Sequence, residues 1–166
     1  EGNPHVHLDP KIILKTAAII NERLALIDPD HKENYAANLK EFETKWLTAT
    51  ERWESARKSL AGKSVVVQHK SFSYLLQFLG INVLTSIEER PGIPPSARHL
   101  AKVVSTIKQN STLAIIRSPF DTEAPSDWVA EKTGVRIITL PYTVGGLPET
   151  TDLYKVYDQS IELLSN

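Results

Sequence analysis

The chain has 166 residues, no cysteine and a formal net charge of -1. That length supports one domain, or one domain and part of another, with a sizeable core. Near-neutral charge argues against a nucleic-acid surface, no apolar run reaches bilayer-spanning length, and without cysteine any metal is left to histidine and carboxylate.

The elements follow in chain order. Asp9-Pro10 starts a helix, because Asp accepts from unpaired N–H groups and Pro at the first helical position has none to lose. Ile13, Ala17, Ile20, Leu24 and Ile27 then recur at helical spacing, which predicts an amphipathic helix with that stripe against a core and an end at Asp28-Pro29-Asp30. From Tyr35 through Leu39, Phe42, Trp46, Ala49, Trp53 and Ala56 to Leu60, spacings of four and three alternate without a break. A helix over 31–60 would be roughly 45 Å long at ~1.5 Å per residue, enough to cross two lobes. One arm of a coiled coil or bundle is the alternative.

After Gly62 short apolar runs alternate with helices. Val65–Val67, Asn82–Leu84, Leu113–Ile116 and Val135–Ile138 read as strands, with helices over Ser71–Leu79, Ser96–Gln109, Ser126–Lys132 and Thr151–Leu164. Such alternation predicts an α/β fold with a parallel sheet covered on both faces. Ligands in these sheets sit beyond the carboxyl ends of the strands, the edge at which His69 falls.

Histidine is the commonest metal ligand, binding through a neutral ring nitrogen. His5 and His7 stand two apart. On extended backbone both rings would share one face; in a loop one could point inward and the other to solvent. His31 and His99 fall on polar helix positions and read as surface residues. Glu88-Glu89-Arg90 could supply a carboxylate but reads more readily as a solvated charge run, and Asp121 as a helix-lead residue near the ligand edge. Gly145-Gly146 permits a sharp turn but lacks the Lys-Ser/Thr ending of a phosphate loop. No nucleophile has an adjacent base.

Asn3-Pro4-His5-Val6-His7-Leu8-Asp9-Pro10 resembles the D/N-P-H-x-W-L-D-P segment of the zinc and manganese substrate-binding proteins of bacterial ABC transporters, the cluster A-I solute-binding proteins. Asp28-Pro29, Tyr35-x-x-Asn38-Leu39 and Val66-Val67-Gln68-His69 follow in family order. The resemblance covers the chain from residue 3 and implies two α/β lobes joined by one long helix, with metal held between them. It makes 1–30 the end of the amino-terminal lobe, 31–61 the joining helix and 62–166 the carboxy-terminal lobe.

By the same resemblance His5 and His69 are metal ligands, with His7 a weaker candidate because it stands where the family has tryptophan. Histidine at 69 favours zinc as the transported ligand over manganese, which prefers oxygen. The family's first histidine lies upstream, and Glu1-Gly2-Asn3-Pro4, with no methionine, basic segment or apolar leader, reads as an entry into a longer mature chain. The late aspartate expected near Pro141–Thr143 is missing, leaving water, Asp121 or a nearby glutamate to take its place, so this chain alone is expected to hold metal weakly.

The resemblance implies a non-enzymatic periplasmic or lipid-anchored extracellular protein that delivers zinc to an ABC permease. The membrane would be met only through that permease or an anchor outside this chain. Two other readings remain: a zinc hydrolase built on His5, His7 and His69, and an adhesin or structural lipoprotein on the same scaffold.

Overall fold

The computed structural model describes residues 2–166. Four parallel strands, β1 (Ser64–Val67), β2 (Asn82–Ser86), β3 (Ala114–Arg117) and β4 (Ile137–Thr139), form one sheet in the order β2-β1-β3-β4. Each predicted strand is present, with ends displaced by one or two residues.

Alternate residues of a strand face opposite sides of the sheet, and the two sides have separate cores. Val65, Val67, Ala114 and Ile116 pack beneath α2 (Lys32–Leu60), α3 (Ser73–Leu79) and α6 (Leu153–Ser165). Val66 and Ile115 pack against α4 (Ala97–Gln109) and α5 (Glu123–Thr133). The unbroken apolar runs Val65–Val67 and Ala114–Ile116 are what a doubly covered sheet requires of its central strands. Helix α5 begins three residues earlier than predicted, with Pro125 in its first turn. Proline is tolerated there because the first N–H groups of a helix have no intrahelical acceptor. Gly80 closes α3 at φ +72°, where a Cβ would lie 3.1 Å from that of Ala61.

Helix α1 (Pro10–Ile27) starts where predicted, with the Asp9 carboxylate accepting from the N–H groups of Lys11 and Ile12. Its predicted core stripe fares differently. Ile13 reaches the sheet core, whereas Ile20, Leu24 and Ile27 are exposed, Ile27 by 74%. Helix α2 buries only the half of its stripe from Trp46 onward. That periodicity called for a covering layer which the described residues do not supply. No helix among them is long and apolar enough to cross a membrane.

The long helix and the sheet meet through aromatic rings. Trp53 stacks on Tyr157 at 4.5 Å between ring centres, and Trp46 meets the same ring edge-on at 5.5 Å. The Trp53 indole N–H donates to Asp158 at 2.7 Å.

Candidate metal centre

His69 stands two residues beyond β1, at the carboxyl edge where parallel sheets bind ligands. The neighbouring strand β2 ends at Ser86, paired with Val67, and the chain then turns across this edge. The Ile87 N–H donates to the Val67 carbonyl at 2.8 Å, and the Glu88 N–H to the Gln68 carbonyl at 3.0 Å. These two bonds bring the Glu88 carboxylate to 2.7 Å from Nδ1 of His69. A carboxylate accepts, so His69 carries its proton on Nδ1 and leaves the Nε2 lone pair available.

His5 reaches the same place from the other end of the chain. Its N–H and its Nδ1 both address the Asn3 side-chain oxygen, at 3.0 and 2.5 Å. The Asn3 amide is oriented by donating its NH2 to the Lys70 carbonyl at 2.9 Å. Oxygen therefore faces His5, Nδ1 is again the protonated nitrogen, and Nε2 has no partner among the described residues. The Tyr74 hydroxyl donates to the Asn3 carbonyl at 3.1 Å, so one asparagine ties both histidine-bearing segments together.

The segment behind His5 is held by the sheet lobe. Leu8 is fully buried in its core. The Tyr157 hydroxyl donates to the His7 carbonyl at 2.9 Å, and the Trp46 indole N–H to the Pro10 carbonyl at 2.8 Å. Burial pushes the Tyr157 phenol well above its ordinary range, so it remains a donor.

The His5 and His69 rings lie 5.7 Å apart, centre to centre, inclined by 80°. Zinc–nitrogen bonds of ~2.0–2.1 Å in a tetrahedral site place two ring centres roughly 5 Å apart. The observed separation is close to that spacing, and the pair lines a cavity of about 340 Å³ with Ser86, Glu88 and Glu89.

Other candidates lie differently. His7 is in a 3₁₀ turn, Val6–Leu8, and not on extended backbone. At three residues per turn, positions two apart diverge. Its Nε2 sits 3.0 Å from the Tyr142 carbonyl, to which it donates, and its ring stands edge-on to Tyr142 at 5.0 Å. Asp121 accepts from the Ser118 N–H at 2.7 Å, which closes its own loop. His31 is exposed on Asp28, as a surface residue should be.

Two readings from sequence are corrected. Glu88 is no solvated charge but the partner of His69. His99 is no surface residue: its side chain is 14% exposed and its Nε2 donates to the Ser86 carbonyl at 2.8 Å. Neither contact has a local signal, since both depend on which strands lie side by side. Among the described residues, no three histidine, aspartate or glutamate side chains converge as a metal-binding group.

Burial lowers the His5 pKa below the ordinary 6.5, and the nearby His69 and His7 imidazoles lower it further. The unfolded chain then takes up this proton at higher pH than the folded one. The stability His5 contributes is complete above about 6.5 and declines as pH falls from there through its depressed pKa. Metal binding requires the neutral ring. A zinc ion held through His5 is therefore expected to meet proton competition at that ring only below about pH 6.5. Competitive chelator titrations across pH check this; an affinity already lost at pH 7 would contradict it.

The family described as zinc-uptake complex component A, periplasmic, has a model that matches residues 1–166. The high-affinity zinc uptake system protein ZnuA of Yersinia pestis is 27% identical over 154 residues, covering 93% of this chain and 48% of that protein. The Zn(II)-bound structure of an AdcAII variant of Streptococcus pneumoniae is similar at a TM-score of 0.81 and 27% identity, over 98% of this chain and 59% of that one. A crystal structure of ZnuA has a TM-score of 0.85 at 22% identity, over 99% and 60%, a likeness of fold. This chain spans about half the length of the curated relatives it matches. Matched from end to end by the family's model, the chain belongs to the zinc-uptake complex component A family.

Proposed function

We propose that this chain is the carboxy-terminal part of a protein that captures zinc outside the cytoplasmic membrane and hands it to an ABC permease. The observation that carries the reading is the paired anchoring of His5 and His69. In each ring an oxygen acceptor holds Nδ1 and leaves Nε2 for the metal. Imidazole favours zinc over manganese. The location is periplasmic or lipid-anchored extracellular, as the family's description and its relatives suggest.

In this reading α1 and the first half of α2 close an amino-terminal lobe, α2 joins the lobes, and 62–166 form the second lobe. The exposed Ile20, Leu24 and Ile27 support it, as does Asn21, whose buried Oδ1 has no partner among the described residues. Residues 3–10, though early in sequence, seat His5 against the second lobe. Among the described residues two imidazoles converge, and water or further protein side chains would complete the site. A hydrolase using His7 as a third ligand is not favoured, because the Tyr142 carbonyl engages its Nε2.

Thermal melting of the intact protein tests the reading, with a larger rise in Tm expected from zinc than from equimolar manganese. No rise with zinc would count against it. Glu88→Gln removes the charge behind His69 but keeps the shape. Zinc affinity is expected to fall roughly 10- to 100-fold, the usual cost of losing an outer partner of a metal-bound histidine. Unchanged affinity would show that the 2.7 Å contact does not tune the site.

A further inference from the structure

The loop that carries Glu88 is held on two sides, and one holder lies outside the site described above. Strand β2 is one of the two edge strands of the sheet. Ile87 donates inward to the Val67 carbonyl. Successive backbone groups on a strand alternate sides, so the carbonyl of Ser86 faces outward, where no further strand can pair with it. A half-buried carbonyl without a donor is costly. His99 supplies that donor, its Nε2 at 2.8 Å.

His99 is itself well placed. It sits in the first turn of α4, where the Ser96 hydroxyl accepts from its N–H at 3.2 Å. Its Nδ1 lies 3.6 Å from the Glu89 carboxylate. Ser86, in turn, donates its hydroxyl to the Glu88 carbonyl. A continuous chain of contacts runs from His99 through Ser86 to Glu88, and from the Glu88 carboxylate to Nδ1 of His69.

We infer that His99 is a positioning residue for zinc capture: by fixing the Ser86 carbonyl it holds the Glu88 loop so that the carboxylate orients His69. The inference rests on the reading of His69 as a zinc ligand. It assigns α4, on the far face of the sheet, a part in setting the metal site.

The test uses two variants of the intact protein. His99→Asn remains polar but is too short to place an N–H where Nε2 lies. His99→Gln extends an amide N–H to about that position. Zinc affinity is measured by chelator competition, and the His69 imidazole nitrogens by NMR in zinc-free protein. His99→Asn should weaken zinc binding about tenfold, at the low end for outer partners. It should also move the His69 Nδ1 signal towards that of an imidazole with no carboxylate partner. His99→Gln should restore most of both. If His99→Asn lowers only Tm, or if His99→Gln is as weak as His99→Asn, the inference is wrong. Should the wild-type protein bind no zinc, the ligand reading fails, yet the His69 signal still decides whether His99 positions the loop.

Discussion

His5→Ala and His69→Ala should each lower the zinc affinity of the intact protein by more than about 100-fold, beyond the ~10–100-fold loss typical of outer partners. The expectation follows from how the two rings are held. A free histidine samples both tautomers and many rotamers, and ordering it on binding costs affinity. Here hydrogen bonds supply that ordering. Asn3 fixes His5, Glu88 fixes His69, and the rings sit 5.7 Å apart. On the proposed two-imidazole reading, truncating either ring removes a direct bond to zinc and wastes the arrangement around the other. Because the two act as a unit, the double variant should lose less than the sum of the single losses. Isothermal titration with zinc, backed by circular dichroism to show retained helix, measures both. A His5→Ala protein that binds as tightly as wild type would mean that His5 is no ligand.

Trp46→Ala should destabilise the fold by ~3–5 kcal/mol, the range for emptying a large buried aromatic site. The ring is fully buried between Phe42, Trp53 and Tyr157, with centre separations of 5.3, 5.1 and 5.5 Å. Its N–H is also the donor to the Pro10 carbonyl, just past the histidine segment. Trp46→Phe separates the two roles, retaining a ring while removing that donor. Its cost should be smaller, near the ~1 kcal/mol of a lost hydrogen bond plus a partial cavity. Urea unfolding of both variants gives the comparison. If Trp46→Ala lost less than 1 kcal/mol, the aromatic cluster would not be what joins α2 to the sheet.

The sequence made the secondary structure readable where local chemistry decides it. Asp9-Pro10 marks a helix start because its hydrogen bonds are made within three residues, and Val65-Val66-Val67 marks a doubly covered strand because every position is apolar. The α1 stripe was legible as a stripe, but Ile20, Leu24 and Ile27 do not say what covers them. His5 and His69 were reachable through the family's motif order, since each motif is contiguous. Their orienting partners were not. Glu88 looks like any charged loop residue until the Val67–Ser86 pairing carries it across the sheet edge. Tyr157 and His7 are joined across 150 residues. His99 lies on a polar helix face, and only the outward carbonyl of an edge strand gives that face a purpose.

The proposed function requires one zinc ion shared by the two imidazoles. Anomalous diffraction at the zinc edge, on crystals of the intact protein grown with one equivalent of zinc, tests it most directly. One strong peak is expected about 2.0–2.1 Å from Nε2 of both His5 and His69, with His7 outside bonding distance. A peak at His7 or His31 instead, or none between His5 and His69, would contradict it.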